Sequence, residues 1–186
     1  AMANYNCKLL SKKHVDTIAK VCDLIIDQKL KDHFPLVVWQ TGSGTQINMN
    51  LNEVIANKAN VLLGFKLPSN KPLHPNDDIN KSQSSNDTIP TAMHIATVLI
   101  IKRELLPAIL KIKKTLKKKV KEFNKIIKIG RTHTQDATPI KLSNEFLAFH
   151  DQIDYAEKKI LQSLSKLFQL AQGGTAVGSG VNAPKD

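Results

Sequence analysis

The residues of this sequence that could do chemistry fall in three short polar stretches: "TGSGTQ" (41–46), "HPNDDINKSQSSND" (74–87) and "GRTHTQDATP" (130–139). Two glycines beside Ser43 and Thr45 at a helix start can turn backbone N–H groups toward one point and cradle an anion. The other reading of that stretch is a glycine-rich turn with Thr45 as a helix cap. It is not a Walker loop, because no Lys-Ser/Thr follows the second glycine. Nor is it a dinucleotide fingerprint, because Ile47 occupies the third glycine position. His74 and Asp77, three apart with Asp78 alongside, bring a metal to mind. No third and fourth ligand stands at a readable spacing, so a turn built on Pro75 and Asn76 is expected there, and no metal. "SSND" carries a surplus: one side chain suffices to cap a helix, which leaves at least two of Ser84, Ser85 and Asn86 for another task. His133, flanked by Thr132 and Thr134 between two helical patterns, is the histidine placed to take a proton from water. His14, His33, His94 and His150 sit in helical patterns or at their ends and read as ordinary surface or core histidines. Hydroxyls, amides and helix N-termini suit small carboxylates, held by charge-assisted hydrogen bonds. The three stretches contain no nucleophile–base pair, so they point to a helical bundle with a small-anion site without naming a reaction.

The elements that must position these stretches read as helices nearly throughout. Val15, Ile18, Cys22, Ile25 and Ile26 recur at helical steps after a Ser11 cap, and Cys22 reads as a buried thiol. Ile47, Leu51, Val54, Ile55, Ala59 and Leu62 mark a second helix that begins at Thr45 and stops near Gly64. A third starts at Ser85 to Asp87, with Pro90 in its first turn, and runs on toward Ile127 with a kink or break at Pro107. Gly130 closes it. Leu142, Phe146, Phe149, Ile153, Ala156, Ile160, Leu164, Leu167 and Ala171 follow a near-heptad repeat, the mark of a long helix packed almost parallel to its neighbours. A two-sided apolar helix of that length calls for further chain or other subunits to cover it. "PLVVWQ" (35–40) is the one β-like run, and the proline-rich stretch 64–78 is the expected domain boundary.

Composition narrows the class. The chain has 186 residues, 41% hydrophobic and 23% charged, and is long enough for one sizeable core. No apolar run approaches the roughly 18 residues that a membrane span needs, and the N-terminus lacks the pattern of a signal peptide. The net charge is +11, and its densest source is "KIKKTLKKKVKEFNK" (111–125). Ile112, Leu116, Val120 and Phe123 thread that run at helical spacing, so it reads as a solvated helix face and nucleic acid is not an expected partner. Two cysteines, Cys7 and Cys22, make no metal spacing or disulfide framework, which favours a reducing compartment.

At the polar stretches the chain resembles class II fumarase of the aspartase/fumarase superfamily. "WQTGSGTQINMNLNEVIANKAN", "HPNDDINKSQSSNDTIPTAMHIA", "KIGRTHTQDATP" and "GGTAVGSG" look like fumarase segments in the family's order, and the likeness covers nearly all of the sequence. The resemblance implies an all-α fold, a long-helix bundle of the aspartase/fumarase type, truncated. Residues 1–78 would be the C-terminal part of the N-terminal helical domain, and 79–186 the first part of the central bundle. It implies reversible addition of water to fumarate, giving L-malate, by a homotetramer with no metal or organic cofactor, in the cytoplasm or, in a eukaryote, the mitochondrion. It assigns substrate binding to Ser43 and Thr45, to Ser84, Ser85 and Asn86 from another chain, and to Thr132 from a third, with His133 activating the catalytic water. A second anion site would comprise Lys71, His74, Asn76 and Asp77, with Lys71 standing where the family commonly has an arginine.

The family's Gly-Ser-Ser loop, with its serine base and substrate-binding lysine, has no counterpart in these residues, nor has the glutamate that pairs with the histidine. The chain therefore looks like a fragment, and by itself it is expected to show no appreciable hydratase activity. Two rival readings are an aspartate ammonia-lyase fragment and a non-catalytic, truncated assembly module. The ammonia-lyases usually carry an alanine-rich first loop, and Thr-Gln in place of Thr132-His133, so both features favour the fumarase reading.

Overall fold

The computed structural model describes residues 1–185. Six α-helices and one hairpin follow in chain order: α1 (Met2–Asn6), α2 (Lys12–Ile26), α3 (Thr45–Leu62), α4 (Ser85–Ile100), α5 (Leu106–Glu122), β1 (Ile127–Thr132), β2 (Gln135–Lys141) and α6 (Leu142–Leu167). They form two compact units: Ala1–Met93 joined by the stretch from Leu170 onward, and His94–Gln169.

In the first unit, Ser11 caps α2 through its side chain, which accepts from His14 N–H at 3.3 Å. Val15, Ile18 and Val21 of α2 meet Val54, Ile55 and Ala59 of α3, with Leu10, Leu30 and Leu73 closing the cluster. Each such aliphatic side chain contributes about 1.5–3 kcal/mol on burial. Cys22 packs at the edge of this core only partly buried, and burial pushes its thiol pKa up. Ile26 ends α2 and is 76% exposed, because the chain turns away at Gln28, whose φ is +58°.

The proline-rich stretch does not act as a boundary. It folds onto α3 through the fully buried amide of Asn60, which donates to Ser69 O at 3.1 Å and Leu73 O at 2.9 Å and accepts from Leu73 N–H at 3.0 Å. The division of the chain falls instead inside α4, between Met93 and His94, and again after Gln169. "PLVVWQ" forms no strand: Val38 and Trp39 are more than 90% exposed, and neither strand of the structure lies in this first unit.

The third helical stretch is interrupted beside Pro107, as expected, but α5 ends at Glu122, short of Ile127. Pro107 lacks an N–H and crowds the carbonyl four residues back, and a wide π-type turn, Ile101–Leu105, absorbs both effects. Pro107 then sits in the first turn of α5. Pro90 lies past the first turn of α4 rather than in it, so the carbonyl of Asn86 loses its helical donor.

α5 ends at Glu122 and a β-hairpin follows, a departure from the all-helical expectation. The signal was faint because both strands are largely exposed, so no alternation of apolar and polar residues marks a buried face. Gly130 is not a helix stop but the buried residue of an irregularity in β1, where a Cβ would stand 2.6 Å from Thr138 O. α6 packs on α5 and stops at Leu167, short of Ala171. Phe123 and Phe146 meet edge to face at 5.0 Å, but Leu164 is the one buried hydrophobic residue of α6, and Phe149 stays half exposed. The lysine run lies on α5 as a solvated face, except Lys113, which turns inward to Asp154 and Glu157 of α6 at 2.5 Å each.

Candidate functional site: a donor-lined cavity at the start of α4

Gly44 occupies the cap position of α3 with φ +73°, and its Cα faces Ile89 so closely that a Cβ would stand 2.7 Å from Ile89 Cγ2. Only glycine satisfies both demands. This contact seats the 41–44 loop on the first turns of α4. Thr45 is therefore the first residue of α3 and not its cap, and its hydroxyl is available for other work.

The hydroxyls of Thr41, Ser43 and Thr45 line up, each 3.3 Å from the next, and Thr45 Oγ1 donates to Asn86 Oδ1 at 3.3 Å. Ser43 donates to Thr45, so Thr41 must donate to Ser43, and the chain of protons runs one way toward Asn86. Resemblance had divided these residues between two chains. They meet within one, because Gly44 lets α3 and α4 approach at their N-terminal ends.

Each of the three surplus residues has an acceptor position already filled. Ser84 Oγ accepts from Asn86 N–H at 3.3 Å, which makes Ser84 the residue that caps α4. Ser85 Oγ accepts from Asn48 Nδ2 at 2.5 Å, and Asn86 Oδ1 accepts from Thr45. Each side chain also keeps its donor free, two O–H groups and one NH2, beside a second lone pair on its oxygen. Asn48, 1% exposed, also donates to Asn80 Oδ1 at 3.0 Å, as does Asn52 at 3.2 Å. This buried amide network was missed in the sequence. Its trace is the placing of asparagines at 48 and 52 on the same helix face as Leu51 and Ile55.

Thr45 and Ser84 to Asn86 line one side of a cavity of about 390 Å³. Thr175, Ala176, Val181 and Asn182, from the glycine-rich stretch "GGTAVGSG" and the residues after it, line another. No lysine, arginine or histidine is among the lining residues, so attraction for an anion rests on donors and on the N-terminus of the 16-residue α4.

Thr132 and His133 belong to the other unit. Thr132 pairs with Gln135, and His133 opens the two-residue hairpin turn with φ +51°, exposed, its carbonyl held by Arg131 Nη1. His74 caps the single turn Pro75–Ile79: its Nδ1 accepts from Asn76 N–H at 3.3 Å and Asp77 N–H at 3.2 Å. The proton of the neutral ring then sits on Nε2. Asp78 locks the same turn by accepting from His74 N–H at 2.8 Å, while Lys71 is exposed. Among the described residues no three His, Cys, Asp or Glu side chains gather in a metal-binding group.

A mainly helical scaffold thus presents hydroxyl and amide donors at two neighbouring helix starts. Known proteins supply the family. The profile of the family described as "Lyase" matches residues 1–186, and the chain belongs to that family. It is 55% identical over 183 residues to fumarate hydratase class II 2 of Bradyrhizobium diazoefficiens, covering 98% of this chain and 39% of that protein. It is 56% identical over 173 residues to mitochondrial fumarate hydratase of Rattus norvegicus, covering 93% of this chain and 34% of that protein. Among solved structures, the class II fumarase of Schistosoma mansoni superposes with a TM-score of 0.87 at 41% identity, over 98% of this chain and 38% of that one. The fumarate lyase:delta crystallin of Brucella melitensis does so with 0.88 at 39%, over 99% of this chain and 40% of that one. The mainly helical fold is that of the aspartase/fumarase type. The chain spans about 40% of the length of the curated relatives it matches.

Proposed function

We propose that this chain is part of a class II fumarate hydratase, which interconverts fumarate and L-malate by reversible addition of water. The observation that carries the reading is the cluster of free donors on Ser84, Ser85 and Asn86, each of which has one acceptor position already filled by a neighbour. A carboxylate is acceptor-only and complements such a set. Ser43 and Thr45 extend it, and their 3.3 Å contacts are long enough that a ligand oxygen can replace one at little cost.

In the malate direction a weakly acidic C–H proton must leave. The charge that develops spreads onto the adjacent carboxylate as a doubly negative aci-carboxylate. Donors aimed at those oxygens stabilise that species more than the ground state, which is the condition for acceleration. Hydroxide then departs with a proton from an acid. His133, with Thr132 beside it, acts on this water when a further copy of the chain brings the hairpin tip to the cavity in a homotetramer. The capped turn of Lys71, His74, Asn76 and Asp77 is the second anion site, with the outward Nε2–H of His74 and the amide of Asn76 as donors. The setting is cytoplasmic or, in a eukaryote, mitochondrial, and the mitochondrial relative in Rattus norvegicus supports the second. Among the described residues no helix is long and apolar enough to cross a membrane.

The test is Asn86→Asp in the complete enzyme, which keeps the shape and turns a donor into a negative acceptor. Loss of fumarate ultraviolet absorbance should slow, with kcat/KM falling roughly a hundredfold. An unchanged rate would sink the assignment of this cavity. Release of ammonia from L-aspartate by the unmodified enzyme would favour the ammonia-lyase reading instead.

A further inference from the structure

The cavity has two walls that are far apart in sequence, and one side chain joins them. Asp87, in the first turn of α4, accepts the backbone N–H of Thr175 through Oδ2 at 2.6 Å, across 88 positions of sequence. The segment it holds is improbable on its own. Gly173, Thr175, Gly178, Gly180 and Asn182 all have positive φ, and two of these are not glycine. A left-handed residue with a side chain costs free energy and persists where its surroundings over-determine it. Few internal bonds do so here: Gly180 N–H donates to Gly174 O at 3.0 Å, and Ala183 N–H to Gly180 O at 3.1 Å. Gly174 also packs close, since a Cβ there would stand 3.3 Å from Gly178 Cα and 3.5 Å from Asp87 Oδ2. The far wall of the cavity thus hangs on α4 at Asp87, one residue after the donor Asn86.

We infer that Asp87 is a positioning residue, whose carboxylate fixes the 173–182 loop as the second wall of the cavity and so sets how tightly a small dicarboxylate is enclosed. Its role is indirect. The carboxylate is engaged with a backbone donor and is an acceptor, so it has nothing to offer an anionic ligand. By holding Thr175 it defines the volume that the donors of Ser84, Ser85 and Asn86 face. The inference deepens the carboxylate-site reading and rests on it for the identity of the ligand. The latch itself does not depend on what binds.

Amide hydrogen exchange on the 186-residue chain, compared among the unmodified protein, Asp87→Ala and Asp87→Asn, reads the latch directly. Asp87→Ala should speed exchange at Thr175 and also at Gly180, which Asp87 does not touch, each by roughly tenfold or more. Asp87→Asn keeps an acceptor oxygen without the charge and should restore most of the protection at both. Faster exchange at Thr175 with Gly180 unchanged would reduce Asp87 to a local bond and overturn the positioning role. Unchanged exchange at both would remove the latch altogether. In the complete enzyme, Asp87→Ala should raise KM for fumarate by roughly tenfold with a much smaller change in kcat, and Asp87→Asn should recover most of it. A fall in kcat alone would count against the inference. An unmodified enzyme with no fumarate hydration would overturn the proposed function while the exchange result still decides the latch.

Discussion

At the scale of single residues, the site depends on side chains and glycines whose neighbours leave them no alternative. Gly44 is one: Gly44→Ala adds a Cβ in a left-handed conformation and drives it against Ile89. The expected loss is roughly 2 kcal/mol or more, read by urea unfolding. Pairing it with Ile89→Ala should recover the part due to the clash, so the two changes should not be additive. Asn60 is another, with three hydrogen bonds to the 69–73 backbone from a fully buried position. Asn60→Ala leaves the buried N–H of Leu73 without a partner and should cost about 2–4 kcal/mol. Asn60→Asp keeps that acceptor but loses both donors, so it too should lower the urea midpoint. A wild-type midpoint for Asn60→Ala would mean that the loop is held by its prolines and Leu73 alone.

At the scale of elements, the α5–α6 pair carries its own pH response. Hydrogen bonds from Lys113 and then Lys158 hold the Asp154 carboxyl at about 2, below its ordinary 3.8, and the bonds to Asp154 and Glu157 raise Lys113. A depressed carboxyl contributes stability above the unfolded value of 3.8, and that contribution fades as pH falls toward about 2. The raised lysine contributes below its ordinary 10.5 and loses its contribution as pH rises beyond that. The stability difference between the unmodified protein and Asp154→Asn, followed by circular dichroism, should shrink on acidification through this window. A difference independent of pH there would mean that the ion pairs are only incidental to helix packing. Exposure keeps the effect modest, since the side chains of Lys113, Asp154 and Glu157 are 19–30% accessible and that of Lys158 is 68% accessible.

At the scale of the whole molecule, the long helices bury little of what they carry. Val38, Trp39, Leu110, Ile112, Leu147, Phe149 and Leu161 are all substantially exposed, the last five of them on the α5–α6 pair. Apolar area of that extent favours association. Light scattering on the 186-residue chain should show self-association that grows with protein concentration, and a monodisperse monomer at high concentration would contradict it.

The sequence by itself determined where α2, α3, α4 and α6 begin, which faces of α2 and α3 are apolar, and that Ser43, Thr45 and Ser84 to Asn86 stand at helix starts with donors to spare. Those are local properties, set by spacing and by capping chemistry. It also put Cys22 on the core face of α2, though the structure leaves that thiol only partly buried, and read the lysine run as a solvated face. The hairpin escaped because neither of its strands has a buried face to impose alternation, and the π-type turn because a proline alone does not say how a helix will absorb it. The proline-rich stretch looked like a boundary until the amide of Asn60 proved to hold it, a contact no local pattern reveals. Only the tertiary structure decided that the first two donor stretches meet within one chain, through the missing Cβ of Gly44, and that Asp87 reaches the glycine loop 88 positions away. Pairings of that kind depend on how packed helices bring remote residues within hydrogen-bond range, and spacing along the chain carries no record of it.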